Sequence, residues 1–238
     1  MELSKRPAEH KTASVRSMFE SIAHRYDFLN HLLSFGTDFY WRRAAIRLLK
    51  PFHPQRILDI ATGTGDLAIA ALGLAPAEVI GVDIAEEMMK LGREKLTRKG
   101  LDGVIKLQLG DAEQLPFPDG SFDAVTVAFG VRNFENLEVG LSEIHRVLKP
   151  QGVAVILEFS RPRTFFIKQV YSLYLERIIP RLGGLISHHR DAYEHLRTSV
   201  QGFPDGGDFL KVLKTCGFSA VDQHRLTFGI ASAYLGRK

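Results

Sequence analysis

The sequence predicts an α/β fold: a doubly wound, mostly parallel seven-stranded sheet with an antiparallel C-terminal strand and a helical cap. Three observations predict it. From Arg56 onward, β-type runs alternate with helix-type runs. The β-type runs are nearly continuous in apolar residues, as strands buried on both faces are. The last two runs, separated by a short turn, form a hairpin that closes the sheet.

The elements follow in order. Arg56–Ile60 (RILDI) is a strand that ends at a glycine-rich turn, and Leu67–Gly73 opens a helix. Glu78–Ile84 is the second strand. Glu86–Lys99 is a helix, with Met88, Leu91, Lys95 and Leu96 at helical spacing and Gly100 as its stop. Val104–Leu109 and Phe122–Ala128 are strands three and four. Leu137–Leu148 is a helix ended by the breakers Lys149-Pro150-Gln151-Gly152, and Val153–Phe159 is strand five. Phe209–Thr215 is helical, and Ser219–Leu226 and Gly229–Leu235 are the final strands.

This alternation divides the chain into residues 1–50, a helical cap; 51–160, the sheet core; 161–205, an insertion over the carboxyl ends of the strands; and 206–238, the helix and hairpin that complete the sheet.

Composition narrows the function classes. The chain has 238 residues, 45% hydrophobic and 24% charged, which excludes a disordered chain. No stretch free of Asp, Glu, Lys and Arg exceeds eleven residues, too short for a membrane-spanning helix of roughly 18. The first ten residues, MELSKRPAEH, carry no apolar leader core, and a single cysteine, Cys216, excludes an internal disulfide. These features point to a cytoplasmic enzyme. The net charge of +4 is uneven: residues 51–160 carry ten Lys or Arg against sixteen Asp or Glu, whereas 1–50 carry nine against five. The excess cations flank the core instead of spreading over a reading surface, which argues against a nucleic-acid partner; the flanks read either as scattered surface charge or as faces for an anionic bilayer.

The chemistry concentrates at strand ends. After strand one comes Asp59-Ile60-Ala61-Thr62-Gly63-Thr64-Gly65-Asp66, whose glycines permit a sharp bend and a close ligand. Ala68 keeps the spacing of a dinucleotide loop. Asp66, at the helix start, opposes the pyrophosphate such a loop would seat. Asp83 with Ile84 ends strand two, placed to accept hydrogen bonds from ribose hydroxyls. Asp111-Ala112 follows strand three, where a carboxylate and a backbone N–H can read an adenine edge. Three acids at successive strand ends around Gly63, Thr64 and Gly65, with Ala128 closing strand four, describe a pocket for S-adenosylmethionine (SAM), a cation without phosphates.

Asp59-x-Ala61-x-Gly63-x-Gly65 resembles the first motif of class I SAM-dependent methyltransferases, whose fold is Rossmann-like. Gln114–Asp123 and Arg146–Gly152 resemble two further segments of that superfamily. Tyr26–Gly36 with Trp41-Arg42, Phe129-Gly130-Val131-Arg132-Asn133, and the run from Arg146 to Ser160 resemble signatures of the ubiquinone/menaquinone biosynthesis C-methyltransferases. The resemblance covers Val15 to the C-terminus. It departs at Leu29, Asp38, Ala128 and Gln151, where the family usually has Met, His, Ser and Gly.

The resemblance implies C-methylation of a polyprenylated quinol, demethylmenaquinol to menaquinol, or else the benzoquinol precursor of ubiquinone. SAM is the methyl donor and no metal takes part. Arg132 is expected to stabilise the developing phenolate, Asn133 to orient a ring oxygen, and Tyr26 and Asp27 to approach from the N-terminal helix. His188, His189 and His195 lack completing ligands for a metal site. Phe165–Leu182 has an apolar helical face suited to a prenyl tail and the inner face of the membrane. A homo-oligomer is left open. Three rivals remain: an NAD-dependent oxidoreductase, an RNA or protein methyltransferase of the same superfamily, suggested by the basic charge but lacking a (D/N)-P-P-(Y/F) tetrapeptide, and a non-catalytic SAM sensor.

Overall fold

The computed structural model describes residues 8–162, Gln169 and residues 190–238, with the side chains of 8–12, 25–30, 32–33 and 190–193 left out. Phe165–Leu182, His188 and His189 therefore lie outside the described residues, Gln169 excepted.

The seven strands are β1 (Arg56–Ile60), β2 (Glu78–Asp83), β3 (Ile105–Leu109), β4 (Phe122–Ala128), β5 (Leu148–Phe159), β6 (Ser219–Leu226) and β7 (Ala231–Arg237). They form one sheet in the order β3-β2-β1-β4-β5-β7-β6. Every pairing is parallel except those of β7, which runs antiparallel to both β5 and β6. This is the predicted architecture, with β7 as the single antiparallel strand.

The helices are α1 (Ala8–Leu33), α2 (Thr37–Leu48), α3 (Asp66–Ala71), α4 (Glu86–Lys99), α5 (Leu137–Val147), α6 (Arg190–Gly202) and α7 (Gly207–Thr215). Strand residues alternate between two apolar layers. Leu58, Ile60, Val125, Val127 and Ile156 pack with Leu141 and Ile144 of α5 and Phe209 and Leu213 of α7. Ile57, Val79, Ala124, Val153 and Val155 pack with α2, α3 and α4. Alternation to two buried faces is why each strand reads as a continuous apolar run.

Four details differ from the sequence reading. Within residues 1–50, α2 also covers a sheet face through Trp41, Ala45 and Ile46, while its Arg42 and the α1 residues Val15 and Phe19 reach the strand ends. The breakers at 149–152 begin β5 instead of preceding it: Gln151 takes φ +65° and the register against β4 shifts there, a bulge that tolerates Pro150. Strand seven starts at Ala231, because Thr227, Phe228 and Gly229 all take positive φ in a tight turn. Helix α3 stops at Ala71 and tightens into a 3₁₀ turn over Leu72–Leu74.

Candidate active site

The loop after β1 is built for close approach. Ala61, Gly63 and Gly65 take φ of +52°, +56° and +86°. Ala61 is held in a left-handed conformation that suits glycine better. Its Cβ fits because residue 130 is glycine: a Cβ on Gly130 would lie 2.5 Å from that of Ala61. On the other side, Gly92 lets α4 close on the loop, since a Cβ there would lie 3.3 Å from the Thr64 backbone.

Asp59, at the end of β1, is fully buried. Its two oxygens accept from the hydroxyls of Thr62 (2.6 Å) and Thr126 (2.8 Å). Burial pushes its carboxyl up to about 6, against these hydroxyls and the charge of Arg42. Asp59 is thus a negative post beneath the loop and not an open ligand group. Asp83 accepts from the backbone N–H groups of Gly63 (2.8 Å) and Ala85 (2.9 Å), which partly offset the rise that burial gives its pKa. A carboxylate has about four acceptor positions, so Asp83 keeps capacity for a ligand. Asp111 accepts from Glu113 N–H at 2.9 Å and is otherwise exposed.

These groups border a cleft of about 720 Å³, open solvent included. Gly63, Asp83, Ile84, Asp111 and Ala112 are among its lining residues. So are the apolar Val15 and Phe19 of α1, Met88 and Phe134, which motif reading did not find, and Phe129 of the Phe129–Asn133 signature. A smaller space of about 370 Å³ is bordered by Arg42, Asp59, Thr62, Thr64 and Asp66. Ala61, Gly63, Ala128 and Phe129 line both spaces, so one elongated ligand can run from one to the other.

The smaller space is strongly charged. Lys95 donates to Thr64 Oγ1 (2.7 Å) and Asp66 Oδ1 (2.9 Å), and Arg42 and His31 lie within 4.0 Å of Asp66. The lone opposing charge expected of Asp66 is therefore balanced by Lys95 and Arg42. Asp38 gathers Arg42, His31 (2.7 Å) and Ser34 (2.7 Å). Burial raises its pKa, but the Ser34 hydroxyl and the Arg42 charge hold the carboxyl below its ordinary value.

The 3₁₀ turn Val131–Asn133 follows β4. Asn133 lines the cleft; Arg132 is not among its lining residues. The Arg132 guanidinium donates to Glu158 Oε1 at 2.7 Å and to the Phe129 carbonyl, and lies 5.4 Å from the Phe159 ring centroid. Glu158 is fully buried; burial pushes its pKa up and Arg132 opposes this. The Arg132 charge is thus paired with Glu158, and the pair ties the turn that carries Asn133 to β5. Tyr26 and Asp27 lie on α1, with side chains outside the described residues. His195 of α6 reaches Asn133 at 3.0 Å. Among the described residues no group of three or more His, Cys, Asp or Glu is placed to hold a metal.

A family model, the ubiE/COQ5 methyltransferase family, matches residues 7–238. The chain belongs to the ubiE/COQ5 methyltransferase family. It is a SAM-dependent methyltransferase. The chain is 49% identical, over 229 residues, to a Bacteroides fragilis protein named demethylmenaquinone methyltransferase, covering 96% of this chain and 94% of that one. It is 45% identical, over 230 residues, to a Geotalea uraniireducens protein named ubiquinone/menaquinone biosynthesis C-methyltransferase UbiE, covering 96% and 97%. The fold matches that of a Thermotoga maritima SAM-dependent methyltransferase structure at TM-score 0.65 and 20% identity, over 93% and 99% of the two chains. The donor set fits SAM: acceptor carboxylates at two strand ends, close-approach glycines, and a charged recess for the amino-acid end.

Proposed function

We propose that this enzyme methylates a ring carbon of a prenylated quinol, converting demethylmenaquinol to menaquinol. The observation that carries the reading is the mixed lining of the cleft. Carboxylates suited to a nucleoside border the same space as apolar and aromatic side chains suited to a flat ring, and Asn133 stands among them. The name of the Bacteroides fragilis relative supports the same acceptor.

Asp83 accepts from the ribose hydroxyls, Asp111 with the Ala112 N–H reads the adenine edge, and Arg42 and Thr64 hold the amino-acid end. Ala128, common to both spaces, borders the point where donor and acceptor meet. The donor supplies an electrophilic methyl: a ring-carbon electron pair forms the new bond, the carbon–sulfur pair returns to sulfur, and the ring proton is released. The chain's task is alignment of the two partners and stabilisation of charge on the quinol oxygen. Asn133 donates to that oxygen, and Arg132 on Glu158 braces its turn. Tyr26 and Asp27 are the candidates for holding the quinol's proton.

The enzyme works at the inner face of the membrane. Phe35, Phe39 and Tyr40, around the start of α2, and Phe228 are exposed at the carboxyl end of the sheet, where the cleft opens. Exposed aromatics with flanking cations suit the bilayer interface. No described helix is long and apolar enough to cross a membrane.

The name of the Geotalea relative favours one second reading, the 2-polyprenyl-6-methoxy-1,4-benzoquinol of ubiquinone biosynthesis as acceptor. The test supplies SAM with each reduced quinol separately. Methylated naphthoquinol as the faster product supports the proposal. Product from the benzoquinol alone moves the acceptor, and no product from either overturns it.

A further inference from the structure

Nothing in the motifs gives His195 a part in the reaction, yet α6 carries it to Asn133, a residue that lines the cleft. Its Nε2 lies 3.0 Å from Asn133 Oδ1, across 62 residues of sequence. We propose that His195 is a positioning residue that fixes which end of the Asn133 amide faces the acceptor. This rests on the reading of the acceptor as a quinol.

An asparagine side chain presents an acceptor oxygen on one side and two donor hydrogens on the other. A quinol oxygen that gains negative charge needs donors. If the amide presents Oδ1 to it, the contact turns repulsive. The backbone does not set this choice. The Asn133 N–H bonds the Gly130 carbonyl at 2.9 Å, which fixes the turn but leaves the amide free to rotate by half a turn. His195 with its hydrogen on Nε2 removes that freedom: Nε2 donates to Oδ1, Oδ1 is held toward α6, and the Nδ2 hydrogens are left for the cleft.

The arrangement is braced from below. Glu113 Oε1 accepts from the backbone N–H groups of Glu135 (2.6 Å) and Asn136 (3.0 Å), and Arg132 ties the turn to Glu158. Asn133 is therefore fixed in position by the turn and fixed in orientation by His195. Donors preset for a developing oxyanion need no reorganisation when charge appears.

The experiment compares wild type, His195→Leu and His195→Gln with SAM and reduced demethylmenaquinone. Gln keeps an N–H donor at similar reach; Leu does not. The expected result is that His195→Leu lowers kcat roughly tenfold or more. The KM for SAM and the calorimetric affinity for S-adenosylhomocysteine stay within about twofold, and His195→Gln recovers most of the loss. A second readout needs no turnover: nitrogen NMR of the labelled histidines of the full chain should show His195 with hydrogen on Nε2, and Asn133→Ala should change that signal. Wild-type rates in His195→Leu, a loss that His195→Gln does not restore, or hydrogen on Nδ1 alone each overturn the proposal. Failure of the wild-type enzyme to methylate demethylmenaquinol would instead overturn the acceptor reading.

Discussion

Replacing Asp59 by Asn should stabilise the protein while weakening its grip on SAM. Asp59 is fully buried, and its carboxyl rises from an ordinary 3.8 to about 6. A carboxyl whose folded pKa is raised contributes stability in its protonated form. That contribution is complete below pH 4 and lost as pH rises through about 6. At 1.36 kcal/mol per pH unit, the ionised group costs about 3 kcal/mol at pH 7. The Asn amide carries no charge, and the Thr62 and Thr126 hydroxyls can each turn to donate or accept. Asp59→Asn should therefore be about 1–3 kcal/mol more stable than wild type at pH 7, with the gap closing toward pH 4. Urea unfolding from pH 4 to pH 8 measures this. The difference curve isolates Asp59, because the raised carboxyls of Asp83 and Glu158 are present in both proteins. The same substitution removes the negative charge beneath the loop, so the calorimetric Kd for SAM should rise about tenfold, or 1.4 kcal/mol. A stability gap that does not vary with pH, or a less stable variant at pH 7, would refute the reasoning.

Three further outcomes follow from the packing. Gly130→Ala brings two Cβ atoms to 2.5 Å and should destabilise by about 1–3 kcal/mol in urea titrations, while Ala61→Gly in the same chain should restore most of the loss. Alone, Ala61→Gly relieves a φ of +52° and should leave stability equal or up to about 1 kcal/mol higher, read as a rise in Tm. Glu158→Gln strands the Arg132 charge and should cost about 3 kcal/mol or more, with a drop in kcat as the Asn133 turn loosens; unchanged stability would contradict the bracing role.

What the sequence made legible was local or periodic. Strands such as Arg56–Ile60 and Phe122–Ala128 declared themselves because both of their faces are buried. Asp83 and Asp111 could be placed at strand ends because the apolar runs stop there. The loop glycines were legible from their spacing alone. The partners across the fold were not. Glu158 sits on a neighbouring strand, 26 residues from Arg132, so no local pattern showed that the arginine already has a buried partner. The position of α2 was ambiguous for a similar reason. Its apolar stripe says that one side is buried, and only its shared cluster with Ile57, Leu67 and Val155 shows that this side lies on the sheet. The Trp41 indole bond to Thr227 at 2.7 Å, which ties α2 to the turn before β7, spans 186 residues. His195 reads from sequence only as a weak metal ligand, because nothing in its own segment points to Asn133.

A loop of left-handed residues, set among strand-end carboxylates, seats the methyl donor. Calorimetric titration of S-adenosylhomocysteine into the wild-type protein and into Asp83→Ala measures this seat. The wild type should give saturable heat with one site per chain, and the variant an affinity lowered about tenfold or more. Absence of heat in the wild type, or equal affinity in the two proteins, would contradict it.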